Sequence, residues 1–232
     1  MKYLVQGLIF LFITGCQPPH SSYNHVLVLT DITDTTITQQ IDIESSANFL
    51  FRELLELSID EVSNNGFSIG FSALSDRYEN PMLASVELPL GNSMFTQITK
   101  ERLENQKQAY KQIQSALELV KTVENQQKKS SNLYQPIVDA IKELDGKQGS
   151  KKSLIIFSDL MHHSHTGGSL YKDTTAFLDM VSKTSYEIPT NLEIIVVFTP
   201  KTVQQDKLHK EVIQPLWKKA LKGTNIRFTT QL

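Results

Sequence analysis

The stretch of sequence that decides the fold is residues 26–35, which reads VLVLTDITDT. Its first four residues are an unbroken aliphatic run, which is typical of a strand buried on both faces of a parallel sheet. The run stops at Thr30 and Asp31, where a loop is predicted to begin. Because ligands bind beyond the carboxyl ends of the strands in open α/β sheets, we expect a binding site on this loop.

The loop carries an oxygen-bearing side chain at every second residue, namely Asp31, Thr33 and Thr35. A hard cation such as Mg²⁺ suits one carboxylate and two hydroxyls, because it prefers oxygen ligands and keeps some of its waters. Asp and Thr are also common turn residues, so the pattern gains its weight from the buried strand that precedes it. We expect Asp34, which stands between the two threonines, to be a solvated turn residue; the alternative is that it tunes the site.

Three segments together resemble the von Willebrand factor type A (vWA) family. Asp31, Thr33 and Thr35 match its D-x-S-x-S signature, with threonine at both serine positions. Ser131 opens the segment SNLY, which is similar to the T-N-L-Y segment that begins a helix in the family. Asp159 ends the run LIIFSD, which resembles the family's fourth strand. Each serine and threonine replacement keeps the hydroxyl oxygen.

The resemblance implies a metal-ion-dependent adhesion site formed by the five residues of these segments. In the family such a site holds Mg²⁺ (or Mn²⁺ or Ca²⁺), and an acidic side chain of a partner protein completes the coordination. Few protein carboxylates bind the cation directly, so the ion keeps positive charge that attracts the partner's carboxylate. We therefore expect Mg²⁺ as the cofactor and a protein as the partner.

Elsewhere in the chain, predicted strands alternate with predicted helices. Buried or alternating apolar patterns predict strands at residues 67–73, 84–88, 153–158, 192–199 and 226–229. Helical periodicity predicts helices at residues 43–62, 99–124, 133–144, 174–183 and 203–221, the last kinked or divided at Pro215. This order predicts an α/β fold of the vWA or Rossmann-like kind. Its sheet is doubly wound and mostly parallel, with helices on both faces and an antiparallel edge strand.

The first residues predict export and lipidation. Residues 4–13 are mostly apolar but too short to span a membrane, and ITGC at residues 13–16 resembles the lipobox of bacterial lipoproteins. We expect a signal peptide at residues 1–15, lipidated Cys16 with its tether at residues 16–24, and a vWA-like domain at residues 25–232. Gln17 after Cys16 resembles export to an outer membrane, so the expected location is the bacterial cell envelope. The alternative for Cys16 is an incidental thiol.

Charge and motifs argue against several other functions. The chain has 23 Lys and Arg against 25 Asp and Glu, a net charge of −2, which does not suggest a nucleic-acid partner. The sequence has no G-x-G-x-x-G, P-loop or G-x-S-x-G motif, so nucleotide binding and a serine nucleophile find no motif support. A single cysteine excludes a disulfide within the chain.

Three histidines, His162, His163 and His165, follow Asp159 and leave a second function open. Imidazole binds transition metals, so a metal-dependent hydrolase that uses Asp31, Asp159 and this loop is the alternative. We favour a polar loop on the rim of the sheet that shapes ligand choice. A vWA scaffold without a working metal is a third possibility. Our expectation is a lipid-anchored binding domain that is not an enzyme.

Overall fold

The strand predicted at residues 26–29 is the centre of the sheet in a computed structural model of the chain. The structure describes residues 21–74, 81–91, 96–123, 131–164, 168–183, 189, 191–222 and 225–232, except for the side chains of residues 35 and 96–98. Strand β1 spans Tyr23–Asp31, and all of its residues after the first are buried. Its first two residues, Tyr23 and Asn24, belong to the segment 16–24 that was predicted to hold the lipidated Cys16 and its tether.

Five further strands join β1 in one sheet, and their order confirms the predicted fold class. They are β2 (Gly66–Leu74), β3 (Met82–Leu88), β4 (Lys151–Phe157), β7 (Leu192–Val197) and β8 (Asn225–Thr229), with β5 (His163–Ser164) and β6 (Gly168–Ser169) forming a separate short hairpin. The spatial order is β3-β2-β1-β4-β7-β8. All neighbours are parallel except β2 and β3, which pair antiparallel at the edge.

The helices connect these strands. They are α1 (Thr35–Gln39), α2 (Ile43–Asn48), α3 (Thr96–Thr122), α4 (Tyr134–Asp145), α5 (Thr174–Ser182), α6 (Val203–Leu208) and α7 (Gln214–Ala220). A π-helical turn, Phe49–Leu54, continues α2, and a second one, His209–Ile213, joins α6 to α7. Side chains cap several of the amino ends. Asp34 caps α1, Asp42 caps α2 and Thr202 caps α6, each by accepting a backbone N–H.

Two predicted helices differ from the structure. The helix predicted at residues 43–62 ends at Leu54, because Glu56 adopts the left-handed conformation (φ 53°) that terminates a helix. Val62, the last residue of the predicted helix, is 41% exposed as a result. The segment predicted as a helix at residues 203–221 is helical without interruption from Val203 to Ala220, and its irregular part is the π-helical turn before Pro215 rather than a division at the proline. Pro215 is the second residue of α7 and follows this turn closely.

Helices cover both faces of the sheet, as the alternation of apolar residues along β1 requires. Val26 and Val28 belong to a core shared with α2 and α3. Leu27 and Leu29 belong to a second core, shared with α4, α5 and α7. Successive side chains of a strand point to opposite faces, so both faces of β1 must be apolar. The result is a rigid centre from which the loop after Asp31 starts.

Part of the predicted organisation lies outside the described residues. The predicted signal peptide, Cys16 and most of the tether fall in residues 1–20, and His165 falls in another such segment. Within the described ranges, the helices are too short or too polar to cross a membrane.

Candidate functional site

The carboxyl ends of β1 and β4 form the crevice where a doubly wound sheet binds its ligands. The two strands are direct neighbours, but the chain leaves β1 towards β2 on one side and β4 towards β7 on the other. The connections therefore diverge at this point and leave space between them. Asp31 is the last residue of β1, and Ser158 and Asp159 follow the last residue of β4. The sheet thus brings together residues that are far apart in sequence.

Asp31 is the centre of a hydrogen-bond network at this crevice. Its Oδ1 accepts from the backbone N–H of Thr33 (2.9 Å) and from Thr33 Oγ1 (2.6 Å). Its Oδ2 accepts from Ser158 Oγ (3.0 Å) and from Ser131 Oγ (3.4 Å). The residue is 2% exposed, so these four donors replace the water that a carboxylate normally binds. The network fixes the orientation of the carboxylate and of three hydroxyls around it.

The loop geometry follows from local hydrogen bonds. The Asp31 carboxylate closes a turn on the N–H two residues later, as Asp often does. Asp34 is exposed, as predicted, and it also accepts from the N–H of Thr36 (2.8 Å) to begin α1. Ser131 is held by two backbone hydrogen bonds to His163, of 2.7 and 2.9 Å. Thr35 is the first residue of α1, and its side chain lies outside the described part of the structure.

Asp159 brings a second carboxyl group to the crevice. Its Oδ1 accepts from the N–H of Met161 (2.9 Å). Burial raises the pKa of Asp159 to about 7, against the effect of that N–H, and the negative charges of Asp31 and Asp34 raise it further. Burial also raises the pKa of Asp31, although four hydrogen bonds oppose the shift. A cation placed beside these groups would favour their charged forms.

Ser158 belongs to the network but was not predicted from the sequence. It is fully buried, and its Oγ accepts from the N–H of Leu160 (2.9 Å) while donating to Asp31. Leu160 has a φ of 56°, in the left-handed region that residues other than glycine rarely adopt, and Trp217 Nε1 donates to its carbonyl (2.9 Å). Backbone strain of this kind clusters at functional sites. The sequence signal that could have indicated Ser158 is its position between the apolar strand β4 and the acidic residue Asp159.

The sequence predicted that His162 lies in a polar loop on the rim of the sheet, and this prediction was wrong. The side chain is fully buried, and its ring lies 5.3 Å from that of Phe177. Its Nδ1 accepts from the N–H groups of Leu133 (3.1 Å) and Tyr134 (3.4 Å), where α4 begins without a side-chain cap of its own. Free N–H groups at a helix start need an acceptor, and the imidazole supplies it. His163 is partly buried in β5.

The donor set fits a hard cation better than a transition metal. Each hydroxyl donates its single proton to Asp31 and keeps oxygen lone pairs for another partner. Thr33 and Ser131 are only partly buried, so their lone pairs can be reached from the crevice. Mg²⁺ accepts such oxygens and keeps several waters. The described residues contain no group of three or more His, Cys, Asp or Glu side chains placed to hold a metal ion.

Comparisons with known proteins add little to this geometry. No family model and no curated protein matches the chain. Among solved structures, the human COPII-coat protein Sec24c is similar to it with 9% sequence identity and a TM-score of 0.42. The match covers 91% of this chain and 30% of Sec24c, so the chain spans about a third of that protein's length. The fold and site define the chain as an α/β protein with a polar crevice at its topological switch point.

Proposed function

We propose that this chain is a vWA-like domain, lipid-anchored in the bacterial cell envelope, that binds a protein partner through a divalent cation. The observation that carries the proposal is the buried Asp31 carboxylate at the switch point, which orients the hydroxyls of Thr33, Ser131 and Ser158. The order of the strands and the place of the three vWA-like segments support the same reading. No enzymatic activity is proposed.

Each residue has a distinct part in the proposed site. Asp31 accepts hydrogen bonds from the hydroxyls of Thr33 and Ser131, so the lone pairs of these hydroxyls point away from it. Thr35 and Asp159 complete the set of oxygen ligands implied by the vWA resemblance. When bound, Mg²⁺ (or Mn²⁺ or Ca²⁺) supplies the positive charge that a carboxylate of the partner recognises. The chain itself contributes a fixed, partly dry arrangement of oxygens, so little ordering is needed when the partner binds.

The proposal of a lipid anchor rests on the sequence around Cys16. Several acyl chains on one residue hold a protein to a bilayer far more firmly than one chain does. The export signal at residues 1–15 and Gln17 after Cys16 favour the outer membrane as the site of attachment.

The hydrolase alternative is less well supported, because one of its residues has a structural role. His162, one of the histidines it would use, caps α4 from inside the second core. A general base must reach the substrate, and a side chain committed to a helix start is poorly placed for that.

A pair of matched variants tests the proposed function. Asp31→Asn keeps the shape of the side chain but removes its charge and one of its acceptors, so we expect Mg²⁺ to stabilise the variant far less than the wild type. Asp42→Asn makes the same chemical change at the cap of α2, and asparagine caps helices as well as aspartate does. Thermal melts with Mg²⁺ and with EDTA measure the difference. Equal Mg²⁺-dependent gains in all three proteins would show that the cation binds elsewhere.

A further inference from the structure

A cleft of about 120 Å³ opens beside the proposed cation site. It lies between the loop after β4, which contributes Asp159 and Met161, and the segment that runs from α6 into the second π-helical turn. Phe198, Leu208 and Ile213 supply most of its apolar wall. We name it the His209 cleft, after the buried histidine that lines it.

The volume of the His209 cleft limits what can enter it. An engineered apolar cavity of about 150 Å³ holds one benzene molecule, whereas pockets for drug-sized ligands and cofactors are about 300–1,000 Å³. The cleft is therefore suited to a single ring or branched aliphatic group. A nucleotide or an organic cofactor is too large for it.

His209 gives the cleft a polar side chain that the fold uses only in part. The residue is 7% exposed, and its Nδ1 lies 3.2 Å from the side-chain nitrogen of Gln214. Its Nε2 is buried and has no hydrogen-bond partner among the described residues. Burial lowers the pKa of His209 to about 4, so the imidazole is neutral at physiological pH. The histidine also begins a π-helical turn, a feature that is frequent at functional sites.

We infer that the His209 cleft receives one aromatic or branched aliphatic side chain of the same protein partner that reaches the cation. This inference rests on the proposed function, because Asp159 belongs both to the cation site and to the cleft. Leu208 is 43% exposed and Tyr171, which also lines the cleft, is 66% exposed, so apolar surface continues from the cleft to the solvent. A partner segment that places a carboxylate at the cation passes this surface.

Charge around the cleft favours the same partner. Lys207 is exposed beside Leu208, whereas Lys210 forms an ion pair with Asp206 (2.8 Å). An acidic partner segment would therefore meet the charge of Lys207 beside the apolar pocket. Interfaces gain most of their energy from a few side chains seated in such pockets, with charges at the rim that steer association.

Toluene, which mimics a phenylalanine side chain, provides a direct probe of the cleft. The full chain is purified in detergent with ¹³C-methyl methionine and titrated with toluene in EDTA. We expect the Met161 methyl signal to shift and saturate, while Met82, on the edge strand, stays unchanged. Leu208→Trp should fill the cleft and weaken the effect at least tenfold. Val203→Trp, at an 81% exposed position of the same helix, should leave it unchanged.

Two results of this titration would overturn the inference. One is the absence of a saturable shift at Met161 in the wild type. The other is an equal shift in Leu208→Trp, provided that its thermal melt shows a folded protein. A shift that appears only at toluene concentrations that also move Met82 indicates adventitious binding and counts against the cleft.

Selection of random peptides on the full chain in Mg²⁺ separates this inference from the proposed function. We expect the enriched peptides to carry an acidic residue together with an aromatic or branched residue, and Leu208→Trp to remove only the second preference. Binding that needs Mg²⁺ but ignores Leu208→Trp would refute the cleft and leave the cation site standing. Saturable toluene binding without any peptide whose binding needs Mg²⁺ would refute the cation site and leave the cleft standing.

Discussion

Asp159→Asn should change stability in opposite directions with and without a divalent cation. In EDTA, the wild type must keep a carboxylate near the charges of Asp31 and Asp34, and burial has raised its pKa to about 7. A folded-state pKa above the unfolded value of 3.8 means that the folded state binds the proton more tightly. Stability therefore falls as the pH rises from about 4 to about 7, and the penalty is complete above pH 7.

The size of this effect follows from the pKa. A rise from 3.8 to about 7 is roughly 3 units, and each unit corresponds to about 1.36 kcal/mol, which gives about 4 kcal/mol. Asp159 is only partly buried, so solvent screening reduces the penalty to about 2 kcal/mol. Asparagine keeps an oxygen for the N–H of Met161 and carries no charge. In EDTA at pH 8 we therefore expect Asp159→Asn to be about 2 kcal/mol more stable than the wild type.

Urea denaturation followed by Trp217 fluorescence measures this prediction, because Trp217 is the only tryptophan and bonds to Leu160 beside the site. The advantage of Asp159→Asn should vanish near pH 4. In Mg²⁺ at a hundredfold its Kd, the wild type should gain about 2.7 kcal/mol and the variant much less. Lower stability of the variant in EDTA at pH 8, or equal Mg²⁺ gains in both proteins, would refute the reasoning.

Three further predictions concern other parts of the chain. His162→Ala should lower the free energy of unfolding by about 3 kcal/mol in urea denaturation, because it opens a cavity and leaves two helix N–H groups without an acceptor; His163→Ala should cost much less. Protonation of His209 in the unfolded chain should lower wild-type stability by about 2 kcal/mol between pH 6.5 and pH 4, against the gain of similar size from Asp159 over the same range, so His209→Phe should become more stable relative to the wild type as the pH falls. Cys16→Ala should leave the protein unprocessed or outside the membrane fraction, and membrane fractionation identical to the wild type would contradict the anchor.

The fold was predictable because its central signals are local. The apolar run of β1 buries both faces, and that alone indicates a parallel sheet covered by helices. Asp31 and Asp159 were predicted at the ends of neighbouring strands, and the structure places them there. The end of the π-helical turn that continues α2 was harder to predict, because the left-handed conformation of Glu56 depends on how the following loop packs.

The interactions within the site could not be predicted because they join distant residues. Ser158 reaches Asp31 across 127 positions of sequence, and no periodicity encodes such a pair. His162 turns inward because α4 begins at a leucine, which offers no oxygen to its free N–H groups. From the sequence alone, the polar residues after Asp159 suggested an exposed loop. The need of a buried helix start for an acceptor outweighed the preference of histidine for the surface.

Paramagnetic broadening by Mn²⁺ tests the central claim most directly, because it locates the cation. Met161 lies two residues after Asp159, whereas Met82 lies on the edge strand β3. In the full chain with ¹³C-methyl methionine, substoichiometric Mn²⁺ should broaden the Met161 signal and spare Met82, and EDTA should reverse the effect. Asp31→Asn should abolish the broadening. Equal broadening of Met161 and Met82, or none at Met161 in the wild type, would contradict a cation site at this crevice.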